Sequence, residues 1–131
     1  MNELTKSIDD ILLSIESNRQ IIDEMLNTAK ENNAAISGRM EYYAGSHICL
    51  NREQMSAYAD YAKAYDNVKK LYTIAADTKG IEQISELHNT SLALSLLDEM
   101  HSKQLTLMQL ICSVLEKAST AIKMLCTERQ L

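Results

Sequence analysis

The sequence predicts an all-α protein, an elongated helical hairpin or three-helix bundle with coiled-coil-like heptad seams. Three observations carry this. Apolar residues recur at alternating steps of three and four through three long segments, the spacing that lines one face of an α-helix. The 131 residues contain no proline and three glycines, where average usage would supply about six prolines and nine glycines. The aromatic residues are six tyrosines with no Phe or Trp, so the core must come from Leu, Ile, Met and Ala, which suits helix-on-helix packing.

The first helix is expected over about 3–36. Leu4, Ile8, Ile11, Ile15, Asn18, Ile22, Met25, Ala29, Asn32 and Ile36 keep the rhythm without a slip, widened by Leu12, Ile21 and Leu26. Asn18 reads either as a register-setting polar layer or as a wet edge of the bundle. Gly38 and Gly45 then bracket a stretch where the periodicity fails, and Gly38 stands where a helix C-terminus would be capped, so 37–51 is expected to be a loop. Tyr42, Tyr43, His47, Ile48 and Cys49 make it less polar than a plain linker.

The second helix, over about 52–77, announces its start. Asn51 is an N-cap type, Gln54 is its capping-box partner, and Leu50 with Met55 would form the hydrophobic staple. Its stripe is mostly phenolic: Tyr58, Tyr61, Tyr65, Val68, Tyr72 and Ala75. It reads either as a partly wet core stripe or as an interface, since tyrosine joins contact area to a polar tip. Asp77-Thr78-Lys79-Gly80 marks a turn, and a short turn implies antiparallel neighbours.

The third helix is expected over about 81–128, with a bend allowed near residue 101. Its seam runs Leu87, Thr90, Leu94, Leu97, His101, Gln104, Met108, Ile111, Leu115, Ala118, Ile122 and Leu125. Leu92, Leu96, Met100, Leu107, Leu110, Val114 and Ala121 flank it, so the apolar face is wider than a two-stranded seam needs. Such a helix wants neighbours on more than one side.

One helical domain over 1–131 is the expectation at this length. A net charge of −5 and a pI near 5.1 argue against a phosphate-backbone binder. Asp9 and Asp10 give the N-terminus the wrong charge pattern for a Sec signal peptide. Asp98, Glu99, His101, Lys103 and Gln104 interrupt the apolar run from Leu92 to Leu115, so no membrane span is expected. Cys49, Cys112 and Cys126 form no disulfide framework, which points to a cytoplasmic, reducing compartment while leaving signal-less export open. The two helical cysteines are expected to act as small buried hydrophobes.

Chemistry is thinly represented. A nucleophile at Cys49 with His47 lacks any third member that sequence can supply. His88, His101, Asp98 and Glu99 suggest a metal or small ligand, but only one Asp-x-x-His is present where bundle di-metal sites need several carboxylates. No enzyme activity and no cofactor are expected. The chain reads as a non-enzymatic interaction or assembly subunit, or a chaperone, that binds helices of a partner protein or of its own copy as a homodimer. Partner-binding candidates are Tyr58, Tyr61, Tyr65 and Tyr72 on the second helix. On the third they are Leu94, Leu97, Met108, Ile111, Leu115 and Ile122. In size, acidity and helical character the chain resembles small bacterial assembly proteins, including chaperones and secreted or structural subunits of specialised secretion systems. That resemblance is one of class and rests on no motif.

Overall fold

A computed structural model describes residues 2–75 and 91–126 of the chain. It contains three helices, α1 (Asn2–Ser46), α2 (Arg52–Ala75) and α3 (Ser91–Leu125), and no strand among the described residues. The turn expected at Asp77-Thr78-Lys79-Gly80, the start of the third helix at 81 and its end at 128 lie outside the described residues. α3 is unbroken through His101.

The first helix corrects the expected loop. α1 is 45 residues long and continues ten residues past Ile36, through both Gly38 and Gly45. A glycine inside a helix costs ~1 kcal/mol relative to alanine, and packing offsets it. Tyr43, one heptad beyond Ile36, is buried as Ile36 is. The connection to α2 shrinks to His47–Asn51, and the helix is closed by His47, whose φ of 60° takes the left-handed cap position usually given to glycine.

By contacts the chain divides into two compact units, Met1–Asp23 with Lys70–Gln109 and Glu24–Lys69 with Leu110–Leu131. In the first, Ile8 and Ile15 of α1 pack with Ala93 and Leu97 of α3, flanked by Ile11, Leu12, Leu94 and Met100. Gln104 is buried in this apolar setting and is satisfied on both sides. Its Nε2 donates to the Ile15 carbonyl at 3.1 Å, and its Oε1 accepts from Asn18 Nδ2 at 3.4 Å. Asn18 therefore belongs to a polar layer, and Gln104 is its partner.

In the second unit α2 runs antiparallel to α1: Gln54 meets Tyr43 at one end while Tyr61 bonds Asn33 further along. α2 is antiparallel to α3 as well. Gln54 reaches Met124, whereas Asp60, Lys63, Ala64 and Asn67 share a cleft with Leu110, Ser113 and Lys117. The core is Leu26, Ala29, Ile36, Tyr43, Tyr61, Ala64, Val68, Ile111, Val114, Ala118, Ala121 and Leu125. Each large apolar side chain buried there is worth ~1.5–3 kcal/mol.

Two end devices tie the second unit together. The capping box forms reciprocally: Gln54 N donates to Asn51 Oδ1 at 2.8 Å and Asn51 N donates to Gln54 Oε1 at 2.9 Å. Of the expected staple pair, Leu50 is half-buried and Met55 is 57% exposed. At the C-terminus of α3, carbonyls left without helical donors are satisfied from other elements. The Leu125 carbonyl accepts from Tyr43 Oη at 2.7 Å and from Arg39 Nη2 at 3.0 Å, and the Met124 carbonyl accepts from Gln54 Nε2 at 2.9 Å. Arg39 also brings positive charge to the negative end of the helix dipole.

The buried face of α3 is rotated from the expected seam. Leu97, Gln104, Ile111, Ala118 and Leu125 are buried as expected, but the alternate positions are Ala93, Leu107, Val114 and Ala121. Leu94, His101, Met108, Leu115 and Ile122 are half-buried. In the second unit the cause is α2, which draws the contact face toward Leu110, Ser113 and Lys117.

Candidate partner-binding surface

The tyrosine stripe of α2 divides by position. Tyr61 is buried, and its hydroxyl donates to Asn33 Oδ1 at 2.6 Å, the partner that a covered phenol requires. Burial pushes its phenol well above the ordinary value, with smaller contributions from the neighbouring Tyr65 and Tyr58. Tyr65 lies beside it at a ring-centroid distance of 5.7 Å, and Lys69 Nζ stands 5.6 Å over the Tyr65 ring. Tyr58 and Tyr65 are half-buried. Tyr72 falls within α2, but its side chain lies outside the described residues.

On α3 the candidates separate likewise. Leu97 and Ile111 have no exposure and are core. Leu94 and Met108 in the first unit, and Leu115 and Ile122 in the second, keep part of their surface in solvent. Leu105 is exposed in the first unit, and Leu13 and Leu92 more so. Cys112 and Cys126 are exposed, which corrects their reading as buried hydrophobes; Cys49 is exposed too. The physical reason is the rotation of α3, which leaves the flank of Cys112 on the outside.

α3 is long and apolar enough, by length and composition, to cross a membrane, yet only 28% of its most apolar 18-residue stretch is buried within the chain.

The polar cleft of the first unit is open. In the first unit Ser7, Asp10 and Ser14 of α1 and Asp98 and His101 of α3 line a cleft of about 450 Å³. Among the described residues no three His, Cys, Asp or Glu side chains converge closely enough to hold a metal ion. His88 lies outside the described residues, and Glu99 instead approaches Lys103 Nζ at 3.7 Å on the surface. Sequence reasoning had no signal for Arg39 and Tyr43 as ligands of the α3 carbonyls, apart from the heptad step from Ile36 to Tyr43. Comparison with protein-family models, curated proteins and solved structures returned no match.

Proposed function

We propose that this protein is a non-enzymatic helical interaction subunit, working in assembly or as a chaperone, and that it binds a helix of a partner protein or of its own copy. The observation that carries the reading is the apolar side chains that α3 leaves exposed or half-buried, Leu92, Leu94, Leu105, Met108, Leu115 and Ile122. Apolar surface left in water is a driving force for association, and a helix supplies a ready row of anchors at three-four spacing for another helix. The half-buried Tyr58 and Tyr65 offer a second set of anchors of the kind enriched at protein contacts. Association of the coiled-coil type fits both stripes.

Light scattering and thermal melting over a range of protein concentrations test this. Binding in the folded state alone raises stability by mass action, so a self-associating chain shows a melting temperature that climbs with concentration. A monomer of constant melting temperature that also binds no helical partner would remove the proposal's support.

A further inference from the structure

Two sides of α3 are already occupied within the unit formed by Glu24–Lys69 and Leu110–Leu131. Ile111, Val114, Ala118, Ala121 and Leu125 face its core, and Leu110, Ser113 and Lys117 line the cleft shared with α2. α1 also packs on α3, through Arg39 and Tyr43 at its end; at 3.6 residues per turn the flank away from α2 is Cys112, Leu115, Ser119, Ile122 and Cys126, itself a three-four series that stays partly open. Leu115 and Ile122 are half-buried, and the other three are exposed. Glu116 and Lys123 border this flank on its solvent side. Both are exposed, they stand one heptad apart, and neither has an ion pair among the described residues.

We infer that the occupant of this flank is a second copy of the chain, docked antiparallel, α3 against α3, about a two-fold axis near Ser119. The charge pattern selects both partner and direction. In an antiparallel pair, positions bordering the seam on the same side of each helix meet one another. Glu116 of each copy then comes beside Lys123 of the other, twice by symmetry. A parallel pair would put the two Glu116 side chains on opposite sides of the seam, and likewise the two Lys123, so neither charge would gain a partner there. Leu115 and Ile122 of one copy meet the same apolar pair of the other in reverse order. Ser119, small and near the axis, lets the helices approach. One helix flank is a small interface, so the dimer is weak and depends on concentration.

The inference rests on the helix-binding function proposed above, and sedimentation of the full chain separates the two. The samples are the unaltered protein, Glu116→Lys, Lys123→Glu and the double exchange, with circular dichroism to confirm equal helicity. The expected result is a dimer for the unaltered chain and dissociation constants raised roughly tenfold in each single variant, where like charges meet at two symmetric places. The double exchange should return to within roughly twofold of the original. If all four dimerise equally, or if the double exchange is weaker than either single, the antiparallel contact is wrong while helix binding stands. A chain that stays monomeric at every concentration overturns the second copy as occupant, and a partner protein is then the remaining reading.

Discussion

His47, Gly38 and Gly45 are the residues whose local chemistry disagrees most with the backbone they occupy. His47 holds a φ of 60°, where a side chain costs ~1–2 kcal/mol that glycine does not incur. Conversely Gly38 and Gly45 sit inside α1 with nothing within 4 Å of an added Cβ. Gly38→Ala and Gly45→Ala should each stabilise the fold by ~0.5–1 kcal/mol in urea titrations. His47→Gly should add a comparable amount, and destabilisation by any of the three would show that the local helix end is misassigned. Tyr61 allows a pH test. Its folded phenol is raised, so folded and unfolded chains are both protonated below the ordinary phenol pKa near 10, and stability there does not depend on this group. Above that value the unfolded chain ionises first, so stability should fall with rising pH, and Tyr61→Phe should flatten that fall.

At the scale of elements, each helix is fixed at a few polar points within a mostly apolar contact. Gln104 and Asn18 tie α1 to α3 in the first unit. Gln104→Ala strands polar groups in a dry setting and should cost ~1–3 kcal/mol, whereas Asn18→Leu with Gln104→Leu should be near neutral in stability. The double variant should instead lose uniqueness, seen as broadened amide resonances, because an all-apolar seam tolerates other registers. Gln54 serves α2 as cap and α3 as carbonyl donor. Gln54→Ala should therefore cost more in denaturant melts than Asn51→Ala, whose loss is that of a cap, ~1 kcal/mol. Equal losses would mean that the bond to the Met124 carbonyl contributes nothing.

For the molecule as a whole the question is which apolar surface serves folding and which serves association. Ile111→Ala, at a position without exposure, should cost ~2–5 kcal/mol. Tyr58→Ser and Tyr65→Ser remove half-buried rings and should cost less stability while weakening association, read as a shift in the concentration dependence of the melting temperature. If Tyr65→Ser destabilises as much as Ile111→Ala with association unchanged, the stripe on α2 is core throughout.

Periodicity and the absence of proline were enough to determine an all-helical chain, the start of α2 at its capping box, and the core roles of Ile8, Ile15, Ile22, Ile36, Leu97 and Ile111. These are local or one-dimensional signals: a cap is built from residues three apart, and a seam is visible along one helix. Three things needed the fold. The continuation of α1 past Gly38 was decided by the burial of Tyr43, a tertiary gain that outweighs a local propensity. The pairing of Asn18 with Gln104 joins residues 86 apart; periodicity offers Asn18 as a polar layer but cannot say which residue partners it. The rotation of α3 was the least legible, because apolar residues occupy adjacent positions of its wheel and either stripe could have faced inward. Only the neighbour that packs beside it selects one, and that choice leaves Cys112 exposed and Leu115 and Ile122 half-buried.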